Sequence, residues 1–185
     1  MNDAAAAGLV KESMFPFGRG KYIIPKGSSR SLALSYDHIR KIVAYKGTAS
    51  RERYRDLWLF SYLCNGINFR DMLFLKYKNI IDGEICFLRS KTARAYGGSK
   101  IIRAVITPEM MDILRRWGNP YDGNPETLLF DYAEGATDML SISNTVRKVI
   151  SMCNNALKKI AEELGIPPFT TYSARHSFAT VLLRQ

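Results

Sequence analysis

The order of apolar and polar positions from residue 35 onward predicts mostly helix, with one small antiparallel sheet. Ser35 is a good N-cap for a helix from Tyr36 to about Tyr45, because its hydroxyl can accept from a first-turn amide. A stronger helix is predicted from Ala49 to Cys64. Leu57, Phe60 and Leu63/Cys64 recur there at helical spacing, while Arg51, Arg53 and Arg55 load its first turns. Asn65-Gly66 ends it, and Asn68 caps a short helix through Leu75. Asp82-Gly83 reads as a turn into a strand from Glu84 to Leu88, with a second strand from Ile101 to Ile106. Ser90 to Lys100 forms the hairpin loop between them, around a Gly97-Gly98 turn. A third strand has no clear place.

Farther along, Thr107-Pro108-Glu109 opens a helix to Trp117, with proline in the first turn, and Asn119 to Asn124 is loop. Ser141 or Ser143 opens a long helix to Leu164, which Gly165 and Pro167-Pro168 end. Thr170 or Thr171 caps a last helix running to Gln185. Upstream, residues 3–13 look like the end of a helix. Met14 to Arg30 carries Pro16, Gly18, Gly20, Pro25 and Gly27, so it is a connector. The pattern is α+β, mainly helical. It divides into a helix remnant (1–13), a basic connector (14–34) and a main domain (35–185).

Charge sharpens this outline. The net charge is +10, and it is unevenly placed: residues 1–106 hold 19 Lys/Arg against 8 Asp/Glu, residues 107–185 hold 8 against 9. A basic half on a neutral half suggests a face built for a polyanion, with nucleic acid favoured over a mere solubility charge. The connector's Arg19, Lys21 and Lys26 can follow a phosphate backbone or simply be solvated. Cys64, Cys86 and Cys153 are far apart, form no CxxC pair and sit in apolar stretches, which predicts buried free thiols in a reducing compartment. His38 and His176 make no metal site with them at standard spacing. No apolar run is long enough to span a bilayer, and the start of the chain has no signal-peptide pattern, so the expected location is cytoplasmic and no membrane partner is expected.

The candidate chemistry clusters near the end of the chain. Thr171-Tyr172-Ser173-Ala174-Arg175-His176-Ser177-Phe178-Ala179-Thr180 contains an arginine followed by a histidine on a predicted helix. Gly66-Ile67-Asn68-Phe69-Arg70-Asp71 precedes a short apolar helix, and Arg89-Ser90-Lys91-Thr92 opens the hairpin loop. Together these resemble the catalytic domain of the tyrosine recombinases, the phage-integrase family, and its conjugative-transposon branch in particular. Arg175-His176 with Phe178-Ala179-Thr180 resembles the family's His-x-x-Arg signature and the helix after it, with Tyr172 in the first histidine's place. Lys91 resembles the family's β-turn lysine. Asp71 fits the acidic position of the first motif, where Asn68 stands instead of an arginine.

The resemblance implies a site-specific DNA recombinase fold and activity: a tyrosine attacks a DNA phosphodiester, forms a 3′-phosphotyrosyl bond, and the strand is rejoined without a cofactor or metal. Arg175 would stabilise the transition-state charge, since a planar guanidinium donates two hydrogen bonds to phosphate oxygens and stays charged. Lys91 would protonate the departing 5′ oxygen. Tyr172 would position a phosphate oxygen; at an unperturbed pKa of about 10 it is a poorer base than histidine. His176 is either a hydrogen-bonding group near the phosphate or a satisfied core histidine. Asp71 is a positioning group or a carboxylate favoured by its helix dipole. Arg70, Arg89, Arg94 and Lys100, with Tyr96 beside them, suit DNA contact. The implied partners are double-stranded DNA and other recombinase subunits assembled on it. Only ten residues follow Arg175, so the resemblance also implies a domain that stops before its nucleophile and is inactive as it stands. A non-catalytic DNA-binding module of the same fold and a protein-assembly domain are the alternatives.

Overall fold

The computed structural model describes residues 7–8, 33–89 and 101–182. The chain divides into a unit ending at Ser31 and a second from Leu32 to Gln185. The first unit lies almost wholly outside the described residues, as do the expected connector cations Arg19, Lys21 and Lys26. The second unit is mixed helix with a small three-stranded antiparallel sheet.

Six α-helices are described in it: α1 (Tyr36–Ala44), α2 (Ala49–Leu63), α3 (Phe69–Leu73), α4 (Pro108–Trp117), α5 (Met139–Leu164) and α6 (Ser173–Leu182). Their starts follow local chemistry. Ser35, Thr48, Asn68 and Thr107 each accept a first-turn amide on a side-chain oxygen. Helix α5 begins earlier than Ser141 or Ser143. Asp138 caps it, and Ser141 is the reciprocal partner of a capping box, its hydroxyl accepting the Asp138 N–H. Gly165 closes α5 in left-handed backbone. Helix α3 ends at Leu73 rather than Leu75. Helix α6 begins at Ser173, and Thr170 contributes its carbonyl there, accepting from the Ser173 N–H and hydroxyl.

Strands β1 (Ile80–Ile81), β2 (Glu84–Leu88) and β3 (Ile101–Val105) pair in the order β1-β2-β3. Asp82 and Gly83 both have positive φ, the backbone of a tight two-residue hairpin turn. Leu88 pairs with Ile101 and Glu84 with Val105, so the Ser90–Lys100 loop, which lies outside the described residues, joins two strands in fixed register. Ile85, Phe87 and Ala104 turn inward to the core.

Helix α2 is the axis of the domain. Its middle, Tyr54 to Ser61, is buried all round, because α4, α5 and α6 pack on it. An apolar stripe alone would have covered one face. Arg55 and Asp56 are therefore enclosed together, at 3% and 1% exposure. They form a salt bridge, and Asp56 also accepts from Trp117 Nε1 and from Arg116, while Arg55 donates to the carbonyls of Val43 and Tyr45. A buried charge needs such full pairing. Leu34, at the end of the expected connector, is itself part of the core, and its N–H donates to the buried Ser177 hydroxyl at 2.9 Å. Cys64, Cys86 and Cys153 are free and buried. Among the described residues no helix is long and apolar enough to cross a membrane.

Candidate functional site

Two elements set the floor of one cleft. The first is the turn after α2. Asn65 and Gly66 adopt φ of 53° and 66°, which reverses the chain. The turn is held by the buried Ser61 hydroxyl donating to the Ile67 carbonyl at 2.6 Å and by Asn65 Nδ2 donating to the Arg103 carbonyl at 2.8 Å. The second is the start of α6. Trp58, fully buried, donates through Nε1 to the Thr170 carbonyl and the Ser173 hydroxyl, and its ring packs on Tyr62 and Phe169. Gly66 lies so close to α6 that a Cβ placed on it would come within 2.8 Å of Arg175 Cα. The two segments thus meet at the backbone of Arg175.

Between them is a cleft of about 930 Å³. Its wall includes Asn68, Arg70, Asp71, Arg89, Tyr172 and Arg175, six of the residues singled out in the sequence, drawn from α3, the end of β2 and α6. His176 does not line it. Among the described residues its buried Nε2 has no hydrogen-bond partner, and the Tyr172 ring stands edge-on to the imidazole at 4.6 Å between centroids. Tyr172 itself is exposed, at 59%. Lys91, Arg94 and Lys100 lie outside the described residues; Arg89 precedes them in the chain.

The electrostatics of the cleft are lopsided. Among the described residues its charged ones are three arginines and one aspartate. Among the described residues the Arg175 guanidinium makes no hydrogen bond or salt bridge. Partial burial, and next the charge of Arg89, hold its pKa below the usual arginine value, while Tyr172 and Asp71 act the other way. Arginine remains protonated under such pressure, so the cleft presents partly dehydrated positive charge. Asn68 has a different occupation. Its Oδ1 caps α3 by accepting the Asp71 N–H, and its Nδ2 donates to Asp71 Oδ2. Asp71 is buried, at 8% exposure.

No protein-family model matches the chain, and neither a curated protein nor a solved structure matches it.

Several lining residues were not among the site residues singled out in the sequence. Met139, Ile150 and Asn154 come from α5, and Thr170 and Thr171 from the segment before α6. Asn154 Oδ1 accepts the Thr171 N–H at 2.8 Å, so it ties the long helix to that segment. A mid-helix asparagine reads as ordinary until the two elements are seen side by side. Among the described residues no group of three or more His, Cys, Asp or Glu is placed to hold a metal ion.

Proposed function

We propose that this domain binds DNA through the Arg175 cleft and belongs to a site-specific DNA recombinase of the tyrosine type. The observation that carries the reading is the convergence of Arg70, Arg89 and Arg175, with Asp71 and Tyr172, on one cleft. These residues come from three separate stretches of sequence that resemble three family motifs. An uncommitted, partly buried guanidinium is suited to a phosphate, whose oxygens accept two parallel N–H bonds. In strand cleavage the phosphate gains charge in the transition state, and preorganised donors stabilise that charge more than the ground state. Arg175 is the residue assigned that work. Lys91 is assigned proton delivery to the leaving 5′ oxygen, from a loop that begins one residue after the cleft-lining Arg89. Tyr172 and Asp71 are assigned positioning roles. The reacting hydroxyl comes from a tyrosine that attacks the phosphorus as the 5′ oxygen departs.

One observation favours the non-catalytic DNA-binding alternative. Asn68, which stands where the resemblance expects a first arginine, brings no charge, and its Oδ1 and one Nδ2 hydrogen are bonded to Asp71. A single pair of assays separates the readings. Duplex binding followed by fluorescence anisotropy should weaken steeply with salt, and more so in Arg175→Ala than in Arg115→Ala, whose side chain is exposed and paired with Asp112. A nicked suicide duplex, offered to this chain and to any longer product of its gene, then tests for a covalent adduct. An adduct that vanishes in Arg175→Ala supports the recombinase. Salt-sensitive binding with no adduct supports the DNA-binding module. No preference for Arg175 over Arg115 in binding would sink both.

A further inference from the structure

We infer that Asn154 is a phosphate-binding residue of the cleft: its amide oxygen is held by the Thr171 N–H, and its amide nitrogen offers neutral donors to a DNA phosphate from the α5 wall. The inference rests on the DNA-binding reading and deepens it.

The orientation of that amide is decided by its partner. A backbone N–H can only donate, so the atom that Thr171 N–H meets at 2.8 Å is the amide oxygen. Nδ2 therefore lies on the other side of the group. Among the described residues it donates to nothing, and it is not sealed from solvent. The residue as a whole is half-buried and lines the cleft. Its two N–H groups are thus open to whatever the cleft receives.

The surroundings make those donors count. Met139, Ile150 and Asn154 are the α5 residues on the cleft wall, and helical spacing puts them on one face. Asn154 is the polar member of that stripe. A hydrogen bond beside apolar surface is stronger than one in open water. The acceptor that fits follows from the rest of the cleft. Arg175 lines it too, and among the described residues its guanidinium is uncommitted. Such a fork suits two phosphate oxygens. A phosphate has further lone pairs that one guanidinium leaves unfilled, and a neutral amide can take one without adding charge. Asn154 is also anchored to the right segment, since Thr171 stands four residues before Arg175.

The test is DNA affinity against salt, read by anisotropy with the 185-residue chain and labelled duplexes of two unrelated sequences. Each phosphate that a cation neutralises adds about 0.9 to the slope of log affinity on log salt. Arg175→Ala should therefore flatten the line by about that amount. Asn154→Ala should weaken binding about fivefold, the scale of one neutral hydrogen bond, on a line parallel to the parent's and equally for both duplexes. Asn154→Asp keeps the acceptor for Thr171 but replaces the donors with an anion. It should melt near the parent chain, above Asn154→Ala, and yet bind DNA more weakly than Asn154→Ala. A flattened line in Asn154→Ala would mean that the residue acts only through Arg175, and would overturn the inference. Parent-like binding by Asn154→Asp would overturn it as well, leaving a brace and no ligand contact. A loss confined to one duplex would assign Asn154 to a base and overturn the phosphate contact. If Asn154→Ala does not fold, the order of parent and Asn154→Asp still decides. An inert Arg175→Ala would instead sink the underlying DNA-site reading, and this contact with it.

Discussion

Gly66 and Arg175 touch backbone to backbone: a methyl group on Gly66 would meet Arg175 Cα at 2.8 Å. The glycine also sits at φ 66°, where L side chains are strained. The position of the site's arginine is therefore set by the absence of a side chain 109 residues earlier in the chain.

Gly66→Ala should consequently cost both stability and function. The left-handed backbone alone costs roughly 1–2 kcal/mol, and the clash must add to it by pushing α6 outward. Gly165→Ala is the matched control, with φ 60° but open space around its Cβ. Urea unfolding should place Gly66→Ala below Gly165→Ala, and only Gly66→Ala should also lose DNA affinity in the folded state. Equal destabilisation of the two would mean that α6 does not bear on Gly66.

The buried Arg55–Asp56 pair predicts an asymmetric pair of variants. Asp56→Ala leaves the Arg55 charge enclosed and strips Trp117 Nε1 and Arg116 of their acceptor, so it should destabilise by about 3–5 kcal/mol. Arg116→Ala removes only a half-exposed partner and should cost about 1 kcal/mol or less. Denaturant midpoints measure both, and similar midpoints would contradict the role given to Asp56.

For Asn68 the cap and the cleft can be separated. Asn68→Ala should lower stability by about 1 kcal/mol, the usual cost of a lost N-cap. Asn68→Asp keeps a capping oxygen yet sets a second carboxylate against Asp71 beside the cleft. It should weaken DNA binding more than Asn68→Ala does, an order that anisotropy can establish directly.

Glu126 provides the acid-side signature. Hydrogen bonds from Lys76 and then Lys78 hold its carboxyl at about 2, against an ordinary 4.5. A depressed folded-state value means that this contribution to stability is present above pH 4.5 and is lost as pH falls from there toward 2. The group is exposed, so the contribution is modest and fades in salt. Thermal melts should show a steeper fall over that window in the parent chain than in Glu126→Gln, with the difference shrinking at high ionic strength.

Much of the helical frame was legible because caps are local. Ser35, Asn68 and Thr107 announce their helices through their own side chains. The start of α5 misleads because a capping box has two polar ends: Ser141 is conspicuous, but it answers the cap at Asp138. Strand β1 spans only Ile80–Ile81, too short for alternation to register. Arg55 reads as one of the charges loading the helix's first turns, because sequence spacing cannot reveal that α2 is surrounded on every side. The site divides in the same way. Arg175, Tyr172, Asp71 and Arg89 could be picked out as chemically capable residues, and the structure brings them to one cleft. That Asn68 is engaged by Asp71, and that Asn154 braces the wall, are facts of three-dimensional neighbourhood with no local pattern behind them.

The hydrogen bond from Leu34 to Ser177 spans 143 positions of sequence. During synthesis, an N-terminal stretch that has already left the ribosome must wait for α6 before this closure can form. Until then the helix bearing Arg175 is not docked on α2, and Gly66 has no arginine to seat. The cleft that Arg175 lines is therefore assembled only after α6 has been made, so a shorter nascent chain does not yet carry it.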